Sequence, residues 1–422
     1  MSYKSLLTLF LTFSISSMFA DIIPGETSYI VFDNANSDIP YRIPAIAKNK
    51  NGDLIAVADY RYTKADIGVV ENGKLDLRYK ILDKATGNWS EEVTLAAALG
   101  EGENNIAFGD PCIVADADSD LVMVTSCSGN VSFQAGTHDN HQGVARFYSY
   151  DGGKTWGEYE EIGDQFLKLL DQRNDGEVNA FFIGSGKISQ SRKVKNGDFY
   201  RIYCSALVRV NGDTARVNYV FYSDDFGKTW HLLGDINDCP IPYEADEPKA
   251  EELPDGSVMV SSRISGGRYF NIFRYTNIEK GEGSWDTMAI SNASVNGVVA
   301  STNACNGEIL CMPVVRNNDG KETFLLMQSV PMSQTGERAN VGINYKELDS
   351  IDDYLTPTDL AKDWSGSYVI TPNSSAYSTM VIDADNDIAF FFEENGCNAG
   401  YDMVYRKISI KEITNGKYSV NK

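Results

Sequence analysis

The chain has 422 residues, 42% hydrophobic and 23% charged, which is ordinary for a chain that packs a core in water. Its formal net charge of −22 argues against a nucleic-acid partner, since phosphates must be neutralised by Lys and Arg. A local arginine cluster can override that field, so an anionic small substrate stays open.

Residues 1–20, MSYKSLLTLFLTFSISSMFA, have one Lys, an apolar run and small residues ending at Ala20. This is the form of a secretory signal peptide, so the chain is expected to be secreted or extracellular, the periplasm or cell surface included. No later segment is long and apolar enough to cross a membrane. Length alone favours two or three domains, but closed all-β architectures exceed that prior. No linker, low-complexity tract or charge block follows residue 20, so residues 21–422 read as one domain. The seven cysteines are scattered without a CxxC pair, leaving an odd thiol. Cys112–Cys127 and Cys305–Cys311 are candidate disulfides, and burial as small hydrophobes is the equal alternative.

The stretch Tyr41–Asp66 holds two apolar runs joined by Asn51-Gly52, a strong hairpin signal because both turn residues tolerate positive φ. Similar turns recur at Asp116–Asp120, Asn196-Gly197, Asp255-Gly256, Asn318–Gly320 and Asp383–Asp387, about 60 to 80 residues apart. At the fifth, Asn306-Gly307 competes. Between hairpins, Ser149–Trp156 and Ser223–Trp230 both fit S-x-D-x-G-x-T-W, and decayed copies end at Trp89 and Trp285. Ser and Asp satisfy turn donors, Gly takes the unusual dihedral, and Trp anchors the turn on a sheet. This is the Asp-box repeat. The expected fold is all-β, a six-bladed β-propeller of four-stranded antiparallel blades. One amphipathic helix is expected over 160–172, with Ile162, Phe166, Leu169 and Leu170 on its apolar face.

Three hairpins carry chemistry at their ends. The first brings Arg42 toward Asp66. The fourth ends in Glu247 and Arg263. The sixth ends in Tyr377 and Glu393 or Glu394, and a strand starting at Arg338 precedes it. An Arg at a strand end is ordinarily a surface ion-pair partner. Six suitable residue types at corresponding ends of hairpins around one axis are another matter, because they converge on one mouth.

On the Tyr-Arg-Ile-Pro motif at 41–44, the Asp boxes and this order of Asp, Glu, Arg, Arg and Tyr, the chain resembles the exo-α-sialidases (neuraminidases) of the Asp-box, or BNR-repeat, family. The resemblance runs from about Tyr41 to a closing strand near Arg406. It implies that Arg42, Arg263 and Arg338 grip a sialic acid carboxylate. It implies Asp66 as acid/base, Tyr377 as nucleophile and Glu247 as its base. Glu393 would buttress Arg42, and Arg61 and Asp110 would contact the sugar 4-hydroxyl. Implied partners are sialylated glycoproteins, glycolipids or oligosaccharides, with no metal and no organic cofactor. The first, fourth and fifth blades depart from the family in having decayed or missing Asp boxes.

Competing motifs are thin. His138-Asp-Asn-His141 reads as a loop rather than a metal site, since strand or helix framing is missing. Gly184-Ser-Gly186-Lys187 lacks the context of a phosphate loop, and no Ser-His-Asp system is evident. A trans-sialidase or an intramolecular, anhydro-forming enzyme would share the same catalytic set. A sialic-acid-binding adhesin would be expected to lose Asp66, Tyr377 or Glu247, and all three are present.

Overall fold

The computed structural model describes residues 28–420 apart from 35, 72, 175, 213–214 and 398–399, so the leader read over residues 1–20 lies outside it. Six sheets form six blades of a β-propeller, as the turn spacing predicts. Each of the six turns joins two neighbouring strands of one blade: Tyr41–Lys48 to Leu54–Arg61, Ala107–Ala115 to Val122–Gly129, Ser189–Asn196 to Phe199–Val210, Pro248–Glu252 to Val258–Ile264, Ile309–Arg316 to Lys321–Pro331, and Ser375–Ile382 to Ile388–Cys397. In the fifth blade the turn is at 317–320. Asn306-Gly307 instead precedes the first strand, where a Cβ on Gly307 would lie 1.9 Å from the carbonyl oxygen of Ser329.

Most blades are covered on both faces by their neighbours. Their strands are accordingly continuous apolar runs rather than alternating ones: in Leu54–Arg61 all but one residue are buried. Hydrophobic clusters fill the spaces between blades, one of them joining Val31, Phe32, Tyr41 and Ile46 to Phe391 and Tyr405. That cluster closes the ring. Ser28–Phe32 adds to the sixth blade by pairing antiparallel with Gly400–Ile408, and Phe32 stacks on Tyr41 of the first at 4.9 Å.

The Asp boxes are built as their residue types dictate. In the third blade Ser223 Oγ bonds Asp225 Oδ1 at 2.8 Å and accepts the Gly227 amide at 2.8 Å. Asp225 in turn accepts the amide and the hydroxyl of Thr229 at 2.8 and 2.7 Å. Ser149, Asp151, Gly153 and Thr155 repeat the pattern in the second blade. The tryptophans fasten each box to the blade before it: Trp156 meets Tyr79 edge-on at 6.0 Å, Trp89 meets Tyr405 at 5.5 Å, and Trp285 Nε1 donates to the Leu233 carbonyl at 3.0 Å.

One expectation needs correction, and one open choice is decided. The helix is shorter than its apolar pattern, Gly163–Leu170, because Glu160–Glu161 is drawn off as the edge strand of the second blade. Cys112, Cys127, Cys305 and Cys311 are buried free thiols. Cys112 faces Thr125 across the hairpin while Cys127 faces Gly109, so the first pair does not meet.

The box carboxylates make stability pH-dependent. Burial alone would raise the Asp225 carboxyl, but the amide and hydroxyl of Thr229 and the hydroxyl of Ser223 outweigh it and hold it below the ordinary range. Such a group stabilises the fold above its unfolded value, about pH 4, and the contribution is lost as pH falls through the folded value. Asp225→Asn should cost about 1 kcal/mol in urea unfolding at pH 7, as expected for charge-assisted hydrogen bonds at a partly open turn. The deficit should shrink below about pH 3; the same deficit at both pH values would contradict this reading.

Candidate active site

The first strands of three blades carry register shifts at one mouth of the ring: between Arg42 and Ala45, Gly109 and Cys112, and Ser375 and Ser378. A bulge puts an extra residue into one strand and re-aims its side chains. Two of these residues, Ile43 at φ 57° and Asp110 at φ 54°, hold the left-handed conformation that side chains disfavour, most strongly the β-branched Ile43. The Ile43 amide donates to Glu393 Oε1 at 2.9 Å, so the strained turn is pinned by a carboxylate.

Around that mouth is a cleft of about 350 Å³ lined by Arg42, Arg61, Asp66, Asp110, Glu247, Arg263, Arg338 and Tyr377. Eight of the nine predicted site residues thus share one surface. Glu393, the ninth, lies fully buried behind Arg42 and accepts its Nε at 2.7 Å and its Nη2 at 3.3 Å. The choice between Glu393 and Glu394 is settled by facing. Glu394 accepts the Thr371 hydroxyl and Asn373 Nδ2 instead. A larger cavity of about 470 Å³, at the opposite ends of the first strands around Lys48 and Gly52, holds none of the nine.

Tyr377 sits at the centre. Its hydroxyl donates to Glu247 Oε1 at 2.7 Å and accepts Arg263 Nη1 at 3.0 Å, while the same Nη1 reaches Glu247 Oε2 at 2.7 Å. The guanidinium carbons of Arg42 and Arg338 lie 5.8 and 5.7 Å from the centre of its ring. Burial, and then the negative charge of Glu247, hold the phenol well above its ordinary range, so it is neutral at rest.

The three arginines differ in neutralisation. Arg42 has Glu393, and Arg263 has Glu247 and Asp246. Arg338 has only neutral acceptors among the described residues, Asn303 Oδ1 at 3.3 Å and the Ala304 carbonyl at 3.2 Å. It lies in the turn before its strand, Val341–Leu348, rather than at the strand's start. A guanidinium forks onto a carboxylate with two parallel bonds, so this trio is suited to an anionic group presented over Tyr377.

On the other side of the cleft, Arg61 Nη1 forms an ion pair with Asp66 Oδ1 at 2.5 Å, and Asp66 is the most open of these groups, with 60% of its side chain exposed. Residues that the sequence reading passed over lie beneath. Asp59 is fully buried under Arg61, and its signal was present: two residues apart on a strand, both side chains take one face. Arg268 pairs across the hairpin from Arg263; burial pushes its guanidinium down to about 10. Only its position after the tight turn at Gly266 hinted at it. His138 contacts Asp139 and Asp171, and His141 Nδ1 the Gln142 carbonyl, so the two histidines hold local structure.

Arg42→Ala would leave the Glu393 carboxylate buried with only backbone donors. Removing one partner of a buried pair typically costs 3–5 kcal/mol, and about 3 kcal/mol is expected here because Arg42 is partly open. Adding Glu393→Gln should restore a large part of that loss in chemical denaturation. Equal losses in the single and double variants would mean that Glu393 is not charged against Arg42.

Comparison with known proteins identifies the family. The BNR repeat-like domain matches residues 71–388. A sialidase of Micromonospora viridifaciens is 27% identical over 258 residues, 57% of this chain and 36% of that protein. A sialidase of Paraclostridium sordellii is 24% identical over 242 residues, 56% of this chain and 55% of that one. The chain thus spans about a third to about half the length of these relatives. Its fold superimposes on the Hadza microbial sialidase Hz136 with a TM-score of 0.69 at 20% identity, covering 92% of this chain and 69% of the other. With a six-bladed ring and a family match over most of its length, the chain belongs to the BNR-repeat family that includes these sialidases.

Proposed function

We propose that the protein is an exo-α-sialidase that releases terminal α-linked sialic acids from glycoproteins, glycolipids or oligosaccharides by a retaining double displacement. The observation that carries the reading is a neutral tyrosine hydroxyl, bonded to a buried glutamate at 2.7 Å, with three arginines around it. A sialic acid bears its carboxylate on the anomeric carbon. An anionic nucleophile would be repelled by it, whereas a neutral phenol is not, and Tyr nucleophiles are the recognised exception among glycosidases.

In this reading Arg42, Arg263 and Arg338 bind the substrate carboxylate, with Arg338 contributing the least neutralised charge. As the Tyr377 oxygen attacks the anomeric carbon, its proton passes to Glu247 Oε1. The glycosidic C–O bond breaks, and the leaving oxygen takes a proton from Asp66. Asp66 then removes a proton from water, which attacks the anomeric carbon. The Tyr377 oxygen departs and regains its proton from Glu247. Arg61 and Asp110 face the same cleft and suit the sugar 4-hydroxyl. Export by the residue 1–20 leader is part of the proposal. Among the described residues no helix is long and apolar enough to cross a membrane.

Purified protein should release the fluorophore from an aryl α-sialoside. Tyr377→Phe should lose roughly a thousandfold or more. Asp66→Ala should lose far less on this substrate, whose leaving group needs little protonation, and roughly 10²–10⁴-fold on a natural sialoside. Lactose in the assay separates hydrolysis from transfer, and product analysis reveals any anhydro sugar. Sialoside binding without turnover would instead make the protein an adhesin.

A further inference from the structure

We propose that Asp59 is a positioning residue that aims the Asp66 carboxyl into the cleft through Arg61. The proposal rests on the sialidase reading for the role of Asp66.

The geometry is a relay. Asp59, fully buried, accepts Arg61 Nε at 3.1 Å and Nη2 at 2.8 Å on one oxygen. Those two bonds occupy one edge of the guanidinium and turn Nη1 toward Asp66 Oδ1, 2.5 Å away. That contact is the only side-chain anchor of Asp66 among the described residues, so the direction of Arg61 decides where an otherwise open carboxyl points. The other oxygen of Asp59 accepts the Asp110 amide at 2.9 Å and thereby holds a residue at φ 54°. One buried carboxylate fixes three residues of the cleft.

Its charge matters as much as its shape. The ionisable groups around Arg61 are Arg42 on the adjacent strand, Asp59 on its own strand, Asp66 on the following loop and Asp110 on the second blade. Cys127 lies beyond Asp110, and Glu247 faces Asp110 from the fourth blade. Burial, then Asp59 and Asp66, drive the Asp110 carboxyl well up, so Asp110 keeps its proton. Burial also pushes Asp59 up, but Arg61 pulls it back, to about 7. In its ionised form Asp59 holds Arg61 by charge as well as by hydrogen bonds, and Arg61 in turn holds Asp66.

Asp59→Asn keeps the shape and removes the charge. On a natural sialoside kcat should fall about tenfold or more, the scale of impaired acid assistance, with KM little changed. An aryl sialoside, which needs little acid assistance, should lose much less. Equal falls on both substrates would reduce Asp59 to packing and overturn the proposal. A crystal structure of the Asp59→Ala variant tests the relay without activity: the Arg61 guanidinium and the Asp66 carboxyl should both leave their places in the unmutated protein, and an unmoved Asp66 would overturn the proposal. If no sialoside is cleaved at all, the sialidase reading fails, while this displacement still decides whether the relay exists.

Discussion

The buried Glu393 carboxylate is the constraint on which the site depends. It accepts Arg42 Nε at 2.7 Å and the amides of Ile43 and Tyr377 at 2.9 and 3.2 Å. Glu393 and Tyr377 belong to the last blade, Arg42 and Ile43 to the first, so the contact spans the seam at which the ring closes. Ring closure and site assembly are thus one event. If the first blade failed to dock, Arg42 would lose its partner, the Ile43 turn would lose its pin, and Tyr377 would lose a cation beside its ring. The aromatic cluster around Phe32 and Tyr41 provides the non-directional adhesion at the same seam, and Glu393 provides the register.

Electrostatics in the cleft follow from a chain that is strongly acidic overall. Arginines in such a chain would bind any nearby carboxylate and cease to be a binding site. Here Glu393, Glu247 with Asp246, and Asp59 each take the side of a guanidinium that faces protein. The pairing orients the fork and leaves part of it toward the cleft. Of Arg42, Arg263 and Arg338, the last alone has only neutral partners among the described residues, so its charge is the least balanced of the three.

The sequence conveyed the ring and most of the cleft, for reasons of period and turn chemistry. Each hairpin turn is a cluster of Asn, Asp or Gly, and each full Asp box is a closed set of local hydrogen bonds that needs no tertiary context. Arg42, Glu247, Arg263 and Tyr377 were legible because hairpin ends in a ring converge. The helix boundary was not, because whether Glu160 and Glu161 continue a helix or pair as an edge strand depends on the second blade. Arg268 and Asp59 were missed for a different reason. Their importance lies in what is stacked above them, and a sequence does not reveal which charged residues are taken out of water.

A buried charge beneath a site is usually a cost to stability, since a carboxylate without water must be compensated by its neighbours. Asp59 is compensated by one arginine and one backbone amide, with two more carboxyls close by. A hydrophobic residue there would pack without that penalty, yet could not direct Arg61. The open Asp66 explains why direction is needed. In the proposed reaction an acid that serves a leaving group and then a water has to face solvent, and exposure removes the packing that would otherwise hold it. A fixed guanidinium supplies the missing restraint, and a carboxylate below fixes the guanidinium. The cleft thus carries its open groups on a buried ionic layer that fixes their direction.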